Sequence, residues 1–168
     1  MGGESAVASG SYSIASGRFT TAFRPFQQAH GNGRLGSANN NGSQWSRYII
    51  SAQCVDGVPI SLTSIGQNFA LDPDTAYLVT VKCIANQVGV DTYAAFERTM
   101  LIHRTGAAAV IDQDIAGGNN AALNMGTGWT LVLSATGANI DAVFTGGGAG
   151  DAINVTLTYE WVECDKTL

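Results

Sequence analysis

The first thirty residues repeat with a period of seven, and this repeat restricts the possible fold more than any other feature. Three columns define it: Ala8, Ala15, Ala22 and Ala29; Tyr12, Phe19 and Phe26; and Gly10, Gly17 and Gly31. A period of seven is also typical of a coiled coil, but each glycine or serine in a helix costs about 0.5–1 kcal/mol. A column of alanines also lacks the branched apolar partners of a coiled-coil seam. The repeat therefore predicts a stacked, β-roll-like segment over residues 1–31.

We expect each unit to supply one strand and a glycine-bearing turn, with alanines facing a narrow interior and aromatic rings packing copy on copy. Four units form a minimal stack whose ends face water, so identical chains are expected to complete it around a symmetry axis. The sequence thus predicts a homotrimer. The residues assigned to oligomerisation are those of the alanine and aromatic columns, Ala8, Ala15, Ala22, Ala29, Tyr12, Phe19 and Phe26.

Beyond the repeat the composition changes twice. Residues 32–46 are rich in Gly, Asn and Ser and predict a connector. Residues 47–168 alternate apolar and polar side chains with period two, most clearly from Ile153 to Trp161, and Gly- and Asn-rich turns separate the alternating segments. This pattern predicts an antiparallel β-sandwich of jelly-roll type, so the whole chain is expected to be all-β.

Charge restricts the partners. Charged residues make up only 12% of the chain and the net charge is -5, which disfavours binding to nucleic acid. So few charges suit a chain that buries much of its surface against copies of itself. No apolar run approaches the roughly 20 residues of a membrane span, and Met1 is not followed by a signal-peptide pattern. We expect no membrane insertion and no export signal.

The sequence predicts no bound cofactor, no metal site and no catalytic residues. The cysteines, Cys54, Cys83 and Cys164, have no CxxC spacing and are expected to be small buried hydrophobes. His30 and His103 have no suggestive neighbour in sequence, and Asp112 and Asp114 lack a third carboxylate for a cation site. The other carboxylates show no ordered spacing of the kind that would indicate a glycosidase pair. We therefore predict a protein that is not an enzyme.

Three tryptophans could provide flat surfaces for sugars. Trp129 and Trp161 lie in alternating apolar columns, which favours packing in the core. Trp45 stands among polar neighbours at the entry to the second domain, close to Arg47. Trp45 and Arg47 are therefore the candidate contact residues.

The Ala-x-Gly units of residues 6–31 resemble the head repeats of trimeric autotransporter adhesins, which also recur in phage tail fibres and tailspikes. The later part is similar to the β domain that ends many phage fibre, spike and head-appendage proteins. That similarity is carried by the strand-like segments 77–85, 94–104, 128–131 and 153–163. The two resemblances cover most of the chain.

The resemblance implies a homotrimeric virion protein, made in the host cytoplasm, that contacts other virion proteins and a host-surface glycan. Its expected role is that of a structural fibre, spike or knob used in host attachment. Two alternatives stay open. One is a capsid decoration or cement protein that holds the shell through its N-terminal arm, and the other, less favoured, is a polysaccharide depolymerase.

Overall fold

The computed structural model describes residues 6–18, 20–22, 26–32, 43–61, 69–114 and 128–165, and it is all-β. The short strands of the repeat are Val7–Ala8 (β1), Ile14–Arg18 (β2), Thr21–Ala22 (β3) and Gln28–Asn32 (β4). The others are Ser43–Val55 (β5), Ile60–Ser61 (β6), Phe69–Ala70 (β7), Thr75–Gln87 (β8), Tyr93–Thr105 (β9), Ala108–Asp114 (β10), Thr130–Thr136 (β11), Asn139–Thr145 (β12) and Ala152–Asp165 (β13). Within these ranges no helix is long and apolar enough to cross a membrane.

The repeat forms one short strand per unit, and the strands pair in parallel with a sequence offset of fourteen. Strand β1 pairs with β3, placing Ala8 opposite Ala22. Strand β2 pairs with β4, placing Ala15 opposite Ala29. Two seven-residue units therefore make one coil, and each unit lies beside the unit two copies away. Phe19 lies outside the described residues.

The glycine column is needed where two coils come closest. Gly17 has a φ of +91°, and a Cβ on it would lie 2.0 Å from the carbonyl oxygen of Gly31. No side chain fits at that distance, so the backbones of β2 and β4 can pair only because residue 17 is glycine.

A sandwich of two sheets follows the repeat, as predicted. The larger sheet has the strand order β10-β9-β8-β13-β5-β4-β2, and the smaller has the order β11-β12-β6 with β7 also paired to β12. Alternate residues of β8 are buried, as period-two patterning requires. Phe96 of the large sheet meets Phe144 of the small sheet edge-on, with ring centroids 6.2 Å apart. The all-β sandwich is confirmed, whereas jelly-roll connectivity stays a prediction.

The repeat and the sandwich share the larger sheet. Strand β5 begins at Ser43, within the range predicted as a connector, and β4 pairs with its first residues. The side-chain amide of Gln44 pairs with the backbone of Thr21, as the backbone of a neighbouring strand would. Its Oε1 accepts from the amide of Thr21 at 3.1 Å, and its Nε2 donates to the carbonyl of Thr21 at 3.2 Å. Gln27 donates to Ser46 at 3.2 Å. These buried polar groups join the roll to the sandwich.

The cysteines divide into two environments. Cys54 and Cys83 are buried, as predicted, and burial raises the pKa of Cys83 to about 12. Cys164 is exposed, so its predicted burial was wrong. The reason is strand parity: in β13 the odd positions from Ile153 face the core, so an even position points away from it.

Candidate binding surfaces on the seven-stranded sheet

The larger sheet buries one face against the smaller sheet and leaves the opposite face uncovered by any described element. We call this uncovered face the outer face. It carries the even positions of β13 and β8 and the odd positions of β5 and β9, as far as Thr99 and Leu101. Cross-strand register arranges these side chains in rows perpendicular to the strands. The rows near the two ends of the face differ in chemistry.

One row is apolar from edge to edge of the four central strands. Val162 pairs with Trp45 on one side and with Leu78 on the other, and Leu78 pairs with Leu101. We call Trp45, Val162, Leu78 and Leu101 the apolar row. All four side chains are exposed large hydrophobics. The predicted contact residue Trp45 thus belongs to a larger apolar surface, which no single stretch of sequence displays.

The apolar row ends in a shallow cavity next to Trp45. The cavity has a volume of about 240 Å³ and is lined by Ile14, Ser16, Gln28, Ala29, His30 and Trp45. Ser16 Oγ lies 3.0 Å from His30 Nδ1 across the β2–β4 pair. The repeat therefore supplies most of this wall, while β5 supplies the indole.

Arg47, the other predicted contact residue, lies in the neighbouring row. Its Nε atom is 3.6 Å from Glu160 Oε1, a distance that suits an ion pair better than a hydrogen bond. The next row places Lys82 opposite Glu97. Charges of both signs therefore lie side by side in the middle of the outer face. Arg47 is held by a neighbour within its own chain.

Amide side chains and exposed aliphatic side chains lie together at the opposite end of the outer face. The turn that joins β8 to β9 and the adjacent strand ends line an open groove of about 780 Å³. Its lining residues are Ile84, Asn86, Gln87, Val88, Gly89, Val90, Asp91, Asn154 and Thr156, and we call it the amide groove. Tyr93, the cross-strand partner of Asn86, stands beside it and is exposed.

The walls of the amide groove are fixed by hydrogen bonds. The amide of Val88 donates to the carbonyl of Ala152 at 2.8 Å, which ties the turn to the start of β13. Gln87 Nε2 donates to Asp151 Oδ1 at 2.7 Å. Asn154 Oδ1 accepts from Gln53 Nε2 at 2.9 Å, and this bond does not use the amide nitrogen of Asn154. The groove is thus formed before any ligand arrives.

The residues assigned to oligomerisation occupy different environments within one chain. Ala22 and Ala29 are buried, Ala15 is half-buried and Ala8 is exposed. Tyr12 and Phe26 stack with ring centroids 5.4 Å apart and an angle of 7° between the planes, and both rings are exposed. The stack therefore offers an aromatic surface on the outside of the roll. Its use between chains stays a prediction.

Sequence reasoning missed one polar pair. His103 Nδ1 lies 2.5 Å from Asp112 Oδ2 across the β9–β10 hairpin. A register shift between Ile111 and Gln113 brings the carboxylate within reach, and only the hairpin pairing of two alternating segments could have indicated it. No group of three or more potential metal ligands occurs among the described residues. Trp129 and Trp161 are buried, as predicted.

No protein-family model matches the chain, and no curated protein matches it in sequence. Among solved structures it is similar to the gp49 tailspike of the Acinetobacter baumannii bacteriophage Fri1, a capsular polysaccharide depolymerase. The TM-score is 0.41 with 9% identity over 80% of this chain and 20% of the tailspike. It is also similar to the tailspike of Acinetobacter phage vB_ApiP_P1, with a TM-score of 0.36 and 16% identity over 74% of this chain and 22% of the other. The chain spans about a fifth of the length of each tailspike.

The prediction that the protein is not an enzyme is contradicted by this comparison, because the first of these structures is that of a depolymerase. The prediction relied on the absence of ordered carboxylate spacing. That reasoning was wrong in principle, since a glycosidase needs two carboxylates that are close in space, and they can come from distant strands.

Proposed function

We propose that this chain is a structural subunit of a phage tail appendage, a homotrimeric fibre, spike or knob that binds a host-surface glycan in the amide groove. The lining of that groove is the observation that indicates a glycan as the ligand. Its polar groups are two asparagines, a glutamine, a threonine and one carboxylate. The stacked repeat and the resemblance of both segments to phage appendages support a place on the virion beside other virion proteins.

The chemistry of the amide groove suits a ligand rich in hydroxyl groups. A side-chain amide both donates and accepts hydrogen bonds, as does every sugar hydroxyl. The carboxylate of Asp91 can accept from two hydroxyls, and the exposed ring of Tyr93 offers an apolar surface to the face of a sugar. Among the described lining residues there is no Lys or Arg, so a polyphosphate finds no counter-charge there.

Binding of purified protein to host cells and to their isolated surface polysaccharides tests the proposal. The variant Asn86→Ala with Asn154→Ala removes both amides from the groove. We expect its dissociation constant to rise about fivefold to a hundredfold, because each of the two neutral hydrogen bonds contributes about 0.5–1.5 kcal/mol. Asn139→Ala, on the four-stranded sheet, is the matched control and should bind like the unaltered protein. Failure of the unaltered protein to bind any host polysaccharide would refute glycan recognition.

Two further measurements separate the alternatives. Release of reducing ends from the bound polysaccharide would identify a depolymerase. Labelled antibody on the intact particle would place the protein on the tail, as proposed. Label distributed over the shell would instead favour a capsid decoration protein.

A further inference from the structure

The apolar row has no function in glycan binding as proposed above. We propose that this row, together with the half of the outer face around it, is the surface on which a second copy of this chain docks. The inference does not depend on where the protein sits in a virion or on what the amide groove binds.

Exposed apolar surface is continuous along the apolar row. The exposed fractions are 41% for Trp45, 48% for Val162, 45% for Leu78 and 38% for Leu101. Directly paired residues of neighbouring strands have Cβ atoms about 4.5–5.5 Å apart, so the four side chains touch in sequence across the sheet. Contiguous apolar patches on soluble proteins mark interaction sites, whereas single exposed residues do not.

The half of the outer face around the apolar row has the area of a stable protein interface. Seven strands spaced about 4.8 Å apart make a sheet about 29 Å wide between its outermost strands. The segment of β5 from Ser43 to Ile49 adds a length of about 23 Å at about 3.3 Å per residue. The product is about 670 Å², which lies within the about 600–1,000 Å² that each partner contributes to a standard stable interface. A small ligand would leave most of this area uncovered.

Charged side chains next to the apolar row occur in pairs of opposite sign. Arg47 lies next to Glu160, and Lys82 lies opposite Glu97, so positive and negative groups balance within the face. A strongly charged partner would meet as much repulsion as attraction. A second copy of this chain carries groups of both signs and can meet each charge of the face with its opposite. The low charged fraction of the chain, 12%, suits such self-association.

The outer face contains an exposed thiol whose reactivity reports whether the face is covered. Cys164 follows Val162 on the same side of β13 and is exposed in the single chain. A copy docked on the apolar row would cover this thiol. Cys54 and Cys83 are buried in the core and serve as internal controls that stay protected whether or not copies associate.

Sedimentation velocity of Val162→Lys tests the proposal. The unaltered chain should sediment as two or three times its mass of 17.4 kDa at micromolar concentration. Val162→Lys should dissociate into monomers, with a dissociation constant raised at least about tenfold, because a charge would be buried in the interface. Val132→Lys is the matched control, since Val132 is 52% exposed on the four-stranded sheet, and it should not change the mass.

Alkylation of the unaltered protein supplies a readout that needs no substitution. Cys164 should react faster on dilution as the copies separate, and Leu101→Lys should give the fast rate at all concentrations. An unaltered chain that is monomeric would overturn the proposal, as would an oligomeric mass that Val162→Lys and Leu101→Lys both retain. A monomer with Cys164 protected at every dilution would also overturn it, and would point to cover from within the chain. None of these outcomes changes the glycan test on the amide groove.

Discussion

At the scale of single residues, the backbone conformation of Gly17 sets a condition for the roll. Its positive φ disfavours any side chain, and its approach to the carbonyl of Gly31 leaves no space for one. These two effects can be separated experimentally, because Gly89 has a φ of +80° and a Cβ on it would meet nothing within 4 Å. The comparison of the two positions isolates the cost of the close approach.

We therefore expect Gly17→Ala to destabilise the roll by about 1–3 kcal/mol more than Gly89→Ala destabilises its own hairpin. The left-handed backbone costs both variants about 1–2 kcal/mol, and overpacking adds the remainder at Gly17. Hydrogen exchange of the flanking strands, converted to free energies of opening, measures both effects. Equal losses at the two positions would show that the coils can separate slightly without cost.

Residue type and sequence neighbours identify some exposed residues of the outer face before the structure is known, but not others. Trp45 is distinguished by its polar sequence neighbours, but Val162, Leu78 and Leu101 look in sequence like ordinary strand residues. Only the pairing of β5, β13, β8 and β9 brings them into one row. In the same way, the amide groove combines a turn after β8 with the start of β13, which lie 64 residues apart at the Gln87–Asp151 hydrogen bond.

At the scale of elements, the period of seven predicts one strand per unit but not which units pair. A unit of one short strand and one corner turns the chain through half a coil, so the next unit lies on the opposite side. The unit after that returns to the same side and pairs at an offset of fourteen. A column of identical residues is equally compatible with pairing to the next unit and with pairing to the unit after it. For this reason the pairing could not be predicted from the sequence.

The Tyr12–Phe26 stack follows the same offset and should couple successive coils. A double-mutant cycle of Tyr12→Ala and Phe26→Ala measures this coupling. Both residues have positive φ, near 57°, and alanine retains that strain, so the backbone cost cancels in the cycle. We expect a coupling free energy of about 0.5–1.5 kcal/mol from hydrogen-exchange protection of β2 and β4. Additive losses would mean that the rings are neighbours without a stabilising interaction.

At the scale of the whole molecule, the question is whether the roll and the sandwich unfold together. They share one sheet, since β4 pairs with β5 and β5 continues into the sandwich core. Their junction, however, is held by polar groups, chiefly the two hydrogen bonds between Gln44 and the backbone of Thr21. Hydrogen bonds contribute less net stability than the apolar burial that holds β8 and β13. The division predicted between repeat and sandwich can therefore persist as a difference in stability within a continuous sheet.

Gln44→Ala tests this directly, because it removes both bonds to Thr21 from a buried site. Leaving buried backbone groups without these partners costs about 1–3 kcal/mol, so hydrogen exchange in β2, β3 and β4 should accelerate about fivefold to a hundredfold. Exchange in β8 and β13 should not change. Gln53→Ala is the control on the same strand, since its amide makes an exposed bond to Asn154 and its loss should leave the roll protected. If Gln44→Ala instead accelerated exchange equally in the roll and in the core strands, the two parts would form one cooperative unit and the proposed division of the chain would fail.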